Sequence, residues 1–216
     1  WEEWPIRSEN ILLPDQVDAK TLHNYFYGMP TTYHAGVYWG FLWSYQHQED
    51  IYPSLAFSRD GHNFQRPADR PALIELGGEG SWDGGMITAS NWIEVGDEWW
   101  IYYVGCQSTH KARFPKPCTG LARLRKEGFA SLRSPIGGGF VVTRAFACPG
   151  GRLFVNADAT NGELWVRLTD YGRQPLSDFI EPSQTITGDK VRHEICWEGL
   201  DTTDLKGREL RLEFEM

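Results

Sequence analysis

GVYWGFLW, residues 36–43, places large aromatic and aliphatic side chains along a run of the length of one β-strand. EWWIYYV, residues 98–104, has the same character, and aromatic residues make up 14% of the chain. Six turn clusters separate the strand-like runs at hairpin-like intervals, at residues 58–63, 95–97, 149–151, 160–162, 170–172 and 187–189. Helical patterns occur only in two short pieces, at 15–23 and 202–206. The sequence therefore predicts an all-β protein.

The first half of the chain contains an internal repeat. One unit runs from Gly28 to Phe64, and the other runs from Gly85 to Phe129. Each reads as a strand, a turn, an aromatic strand, a loop, a further strand, a D-G or E-G turn and a short strand. A polar, proline-containing loop at residues 107–119 lengthens the second unit. This order is the four-stranded plan of a β-propeller blade.

Composition narrows the classes of function. The 216 residues carry a net charge of -8 without a basic run, which argues against nucleic acid as a partner. No apolar segment approaches the roughly 20 residues of a membrane helix, and the start of the sequence does not resemble a signal peptide. We therefore expect a soluble protein without membrane contact, either cytoplasmic or exported by a signal upstream of this sequence. Cys106 and Cys118 are either free thiols or joined by a disulfide.

The order of four segments resembles that in a known family of enzymes. The segments are LAFSRDGHNFQR (55–66), GSWDGGMI (80–87), VGDEWWIYYVG (95–105) and GLARLRKEGFASL (120–132). They are similar to the last blades of the five-bladed β-propeller glycoside hydrolases, the clan of fructan hydrolases, arabinanases and β-xylosidases, and especially to a bacterial branch of it. The resemblance implies a partial β-propeller of about two blades in residues 1–133. It also implies an antiparallel β-sandwich in residues 134–216.

Two blades do not close a propeller, which typically has about 4 to 8. The resemblance therefore implies a fragment, completed by missing N-terminal blades or by self-association. Glycoside hydrolysis needs two carboxyl groups, and in the resembled family they come mostly from the first three blades. The family motifs WMNDPNG, RDP and EC do not occur here, so the catalytic carboxylate set is expected to be incomplete. Two functions stay open, a glycoside hydrolase-like, carbohydrate-active protein and a non-catalytic carbohydrate-binding or interaction module.

The candidate site lies in GEGSWDGGM, residues 78–86. Asp83 precedes the expected innermost strand of the second unit, so the resemblance predicts a catalytic carboxylate or sugar contact at the funnel mouth. Sugar rings stack on aromatic planes, while carboxylates and amides bind their hydroxyl groups. The loop HNYFY, residues 23–27, offers similar groups at the equivalent position of the first unit. The predicted substrate-binding residues are Trp82, Glu79, His23, Asn24 and Tyr25.

Each of these site residues has a structural alternative. Asp83 is also a suitable turn residue, whose carboxylate would bind backbone N–H groups of its own loop. Trp82 would then pack between the blades. No spacing of His, Cys, Asp or Glu predicts a metal, and no motif predicts a cofactor.

Overall fold

The protein is all-β, as predicted. The computed structural model describes four stretches of the chain, residues 10–21, 23–46, 50–113 and 115–216, with the backbone alone at Thr21, His23 and Asn24. These stretches form twelve strands, one short α-helix and one 3-10 helix. The chain divides into two compact units, Trp1–Leu124 and Arg125–Met216. Within the described stretches, no helix has both the length and the apolar character needed to cross a membrane.

The first unit contains helix α1 (Gln16–Thr21) and a seven-stranded sheet. The strands are β1 (His23–Phe26), β2 (Thr31–His34), β3 (Val37–Gln46), β4 (Ile51–Ser58), β5 (Met86–Val95), β6 (Glu98–Cys106) and β7 (Pro117–Arg125). Their order is β1-β3-β4-β5-β6-β7, with β2 also beside β3. β3 pairs antiparallel with β1, β2 and β4, and β5 pairs antiparallel with β6. The sheet thus consists of two groups of strands, β1 to β4 and β5 to β7. The groups are joined where β4 pairs in parallel with β5, at Ile51 and Met86.

Aromatic side chains from both groups of strands form the core of the first unit. Trp92 and Trp99 stack with ring centroids 4.7 Å apart, and Phe41 packs against Trp92 at 5.6 Å. Phe41 and Trp99 are each 1% exposed. Trp43 links β3 to β5, because its Nε1–H donates to the carbonyl oxygen of Ala89 at 3.0 Å. The aromatic runs that predict the strands therefore also supply the core.

The second unit contains a 3-10 helix (Thr202–Leu205) and five strands. The strands are β8 (Phe140–Val142), β9 (Phe146–Ala147), β10 (Leu153–Thr169), β11 (Ile186–Ile195) and β12 (Glu209–Glu215). Their order is β11-β10-β12-β8, with β9 beside β12, and all pairs are antiparallel. Val166, Leu168 and Leu210 are fully buried at its centre. The long strand β10 pairs with two different strands. Residues 153–164 pair with β11, and residues 165–169 pair with β12.

Two of the predicted turns lie inside strands, so these two predictions are wrong. Residues 160–162 belong to β10, and residues 187–189 belong to β11. Ala159 pairs with Gly188, and the next pair joins Leu164 to Ile186, so the register shifts between them. The glycine and polar residues at these positions form an irregularity within the ladder. Such residues mark bulges as well as turns, which is why the two cases look alike in sequence.

The start of the second unit is tied to its own strands. Arg125 Nε donates to Asn156 Oδ1 at 2.7 Å, and Asn156 Nδ2 donates to the carbonyl oxygen of Lys126 at 2.8 Å. Because Asn156 lies in β10, these bonds attach residues 125 and 126 to the second sheet. The second compact unit begins at Arg125, the last residue of β7, whereas the predicted sandwich begins at residue 134.

Candidate functional site

The predicted site loop, residues 78–86, is a compact turn that leads into β5. Gly85 N–H donates to the carbonyl oxygen of Cys106 at 2.9 Å, which attaches the loop to the end of β6. A Cβ atom at position 85 would lie 2.4 Å from the carbonyl carbon of Ser108, so only glycine permits this approach. Gly80 has a φ of 82°, in the left-handed region that glycine adopts readily. The glycines thus let the loop fold closely against the segment that follows β6.

Asp83 is half-buried, and its carboxylate accepts hydrogen bonds from two side chains. The hydroxyl of Tyr103 donates to Oδ2 at 3.0 Å, and the hydroxyl of Ser81 donates to Oδ1 at 2.9 Å. Burial, together with the hydrogen bond to Asp83, raises the pKa of Tyr103. The Tyr103 hydroxyl therefore stays protonated at neutral pH and remains a donor. These two hydroxyl groups, one of them on β6, hold the carboxylate in a single orientation.

Trp82 forms a flat surface beside this carboxylate. Its ring stacks on Tyr103, with centroids 5.6 Å apart and the planes 19° from parallel. A Cβ atom on either Gly105 or Gly120 would lie 2.7 Å from the indole, so these glycines of β6 and β7 make room for it. Trp82 nevertheless remains 42% exposed. The indole is therefore supported from the sheet but open to solvent.

The other predicted site residues are less closely associated with Asp83. Glu79 lies in the same loop with an exposed side chain. Tyr25 lies on β1 and is 63% exposed, with its ring 6.0 Å from that of Tyr45. The side chains of His23 and Asn24 lie outside the described residues. The structure thus brings Trp82 and Asp83 together and leaves Tyr25 in a separate group of rings.

That group, the tyrosine cluster, consists of Tyr25, Tyr27, Tyr45 and His110. The ring of His110 lies 4.9 Å from Tyr27 and 5.6 Å from Tyr45, and Tyr27 lies 5.1 Å from Tyr45. Tyr45 is buried, whereas Tyr27 is 49% exposed. The cluster therefore presents aromatic faces, hydroxyl groups and an imidazole to solvent on a buried support.

A second polar cluster surrounds a cavity of about 120 Å³ that Asp18, Arg66 and Arg70 help to line. Asp18 is 2% exposed and accepts hydrogen bonds from Nη1 and Nη2 of Arg66 at 2.8 and 2.6 Å. Arg70 forms ion pairs with Asp18, at 2.7 Å, and with Asp15. Because carboxylates face both guanidinium groups, this cluster is better suited to anchoring α1 than to binding a charged ligand.

Sequence reasoning did not identify Tyr103, Gly105, Gly120 or His110 as parts of a site. Glycines inside strands are a signal of close approach by another group, and β6 and β7 each contain one, Gly105 and Gly120. This signal could have marked the place where Trp82 lies. His110 has no comparable signal, since a single histidine in a polar loop is ordinarily a surface residue.

In the part of the chain that the structure describes, no group of three or more His, Cys, Asp and Glu side chains is arranged to hold a metal ion. All four cysteines are free thiols, which is one of the two alternatives for Cys106 and Cys118. Comparisons with protein-family models, with curated proteins and with solved structures find no match to this chain. Its function must therefore be argued from the site itself.

Proposed function

We propose that this chain binds carbohydrate through Trp82, Tyr103 and Asp83, as part of a glycoside hydrolase-like protein. The observation that carries the proposal is an exposed indole, stacked on a tyrosine, next to a carboxylate that two hydroxyl groups orient. The apolar face of a sugar ring packs well on an aromatic plane. A carboxylate has about four lone-pair sites, and two of those on Asp83 are engaged, so it retains capacity for the hydroxyl groups of a sugar.

The family resemblance extends this proposal to the architecture. We propose that strands β1 to β4 form one propeller blade, that strands β5 to β7 form the next blade, and that the second unit is a supporting β-sandwich. The alternation of antiparallel neighbours within each group of strands supports this assignment. The missing blades would come from further chain or from a second copy of this one.

Binding without hydrolysis is the better supported activity for these residues. Hydrolysis requires two carboxyl groups on either side of the scissile bond, and Asp83 supplies only one. Glu79, predicted as a substrate-binding residue, is the other carboxylic acid in this loop, but it is exposed, whereas the general acid of a catalytic pair is commonly placed in an apolar pocket. We therefore propose a binding role for Asp83, with catalysis as the alternative.

Titration of the chain with oligosaccharides of fructose, arabinose and xylose, followed by isothermal calorimetry, tests the proposal. We expect saturable binding that Trp82→Ala abolishes and Asp83→Asn weakens. Tyr102→Ala is the matched control, because Tyr102 is also 42% exposed but projects from the opposite face of β6 to Tyr103. An equal loss in Trp82→Ala and Tyr102→Ala would contradict the assigned surface.

Parallel assays with aryl-glycosides and fructans separate the two functions. Turnover that Asp83→Asn removes would establish the hydrolase alternative. Binding without turnover would support the binding module. Neither binding nor turnover in the intact chain would refute both.

A further inference from the structure

One short segment, residues 107–110, links the site loop that carries Trp82 to the tyrosine cluster. Nε2 of Gln107 donates to the carbonyl oxygen of Gly80 in the site loop at 2.9 Å. Three residues further along, His110 contacts Tyr27 and the buried Tyr45. Three residues of extended chain span at most about 10 Å. His110 is therefore held within about 10 Å of chain from the residue that contacts the site loop.

The tyrosine cluster also has the chemistry of a sugar-binding surface. Tyr25 and Tyr27 are two residues apart on an extended chain, so both side chains project to the same side, and both rings contact Tyr45. They are 63% and 49% exposed, while Tyr45 is 8% exposed and supports them from below. Exposed aromatic residues that are grouped in this way mark interaction sites more often than scattered ones do.

We infer that the ligand is an oligosaccharide that occupies both places, with one sugar ring on Trp82 and another against Tyr25, Tyr27 and His110. This inference rests on the proposed function and adds that a single sugar fills only part of the site. Gln107 and Ser108 belong to the segment that links the two places, and their side chains carry an amide and a hydroxyl, groups that bind sugar hydroxyls. Affinity should therefore increase with the length of the oligosaccharide.

The test uses the full chain with fructose, arabinose and xylose and with linear oligosaccharides of each sugar of increasing length. We expect the longer ligands to bind more tightly than the monosaccharide. Tyr27→Ala and His110→Ala should each weaken oligosaccharide binding about three- to tenfold and remove most of the increase in affinity with ligand length. His110 is in an exposed loop, so its substitution remains informative if Tyr27→Ala fails to fold.

Tyr33→Ala provides a matched control. Tyr33 is 62% exposed and contacts the ring of Tyr38 at 4.8 Å, much as Tyr25 contacts Tyr45. Tyr38 and Tyr45 lie near opposite ends of β3, and seven residues of strand correspond to about 23 Å. Tyr33→Ala should therefore leave binding of every ligand unchanged.

The outcomes separate this inference from the proposed function. If Trp82→Ala abolishes binding while affinity is independent of ligand length, the second place is refuted and the proposed function stands. The same conclusion follows if affinity increases with length but Tyr27→Ala and His110→Ala leave that increase intact. If no ligand binds, both are refuted.

Discussion

Replacing Asp18 by alanine is expected to destabilise the first unit strongly, because Asp18 is the shared acceptor of a buried ion cluster. Its side chain is 3% exposed, and that of Arg66 is 5% exposed. Two hydrogen bonds from Arg66, at 2.8 and 2.6 Å, and one from the N–H of Asp15, at 2.7 Å, end on its carboxylate. Its removal leaves a buried guanidinium without this partner, which costs about 3–5 kcal/mol.

Urea denaturation followed by tryptophan fluorescence measures this loss. With a denaturant slope of about 2 kcal/mol per molar urea, the unfolding midpoint of Asp18→Ala should fall by about 2 M. Asp15→Ala is the matched control, because Asp15 belongs to the same cluster but its side chain is 52% exposed, so we expect a much smaller shift. The double variant Asp18→Leu with Arg66→Met removes both charges and should recover most of the loss. Equal midpoints for Asp18→Ala and Asp15→Ala would refute the reasoning.

The same cluster makes the free energy of unfolding depend on pH. Burial by itself would raise the pKa of Asp18, but hydrogen bonds from Arg66, from the Asp15 N–H and from Arg70 outweigh it and lower the pKa. Because the pKa is lower in the folded state, the stabilisation is present above about pH 4 and is lost as the pH falls through the folded value. Asp18→Asn should therefore lose less stability than the unmodified protein on acidification. An equal loss in both proteins would show that Asp18 does not contribute.

Three further substitutions test the site and the second core. Burial and the hydrogen bond to Asp83 raise the pKa of Tyr103 above the usual tyrosine value of about 10. In an ultraviolet titration, Tyr103→Phe should therefore remove one tyrosine that ionises at high pH. An unchanged titration would contradict the assigned contact. Gly105→Ala would place a Cβ 2.6 Å from that of Asp83 and 2.7 Å from Trp82 Cζ3, so calorimetry should show weaker sugar binding and urea denaturation a loss of about 1–3 kcal/mol. Leu168→Ala, at a fully buried position, should lower the free energy of unfolding of the second unit by about 2–5 kcal/mol; a loss below this range would place Leu168 outside the core.

The strands that the sequence predicts are present because their signals are local. The aromatic run 36–43 lies almost wholly within β3, and the run 98–104 lies within β6. Alternation along a strand depends on the chain's own geometry, so it can be recognised without knowing the neighbouring strand. The two short helices are also predictable from local patterns, and α1 and the 3-10 helix lie within the predicted ranges, 15–23 and 202–206.

The turn signals are less specific, and the bulge between β10 and β11 shows why. Glycine and small polar residues allow an unusual backbone conformation, but they do not reveal whether the chain reverses there or continues. Gly188 has a φ of 77° within β11, opposite Ala159 of β10. Only the position of the partner strand distinguishes this bulge from a hairpin turn.

The candidate site shows the same division between local and long-range information. Asp83 and Trp82 stand out in the sequence because an acid and an indole lie among glycines in one loop. Their partner Tyr103 lies 20 residues away, and the guanidinium that binds Asp18 lies 48 residues away. Strand register and the space above Gly105 and Gly120 bring such groups together. Patterns along the chain establish the all-β class, whereas contacts between distant residues depend on how the strands pair and pack, and no local pattern encodes that.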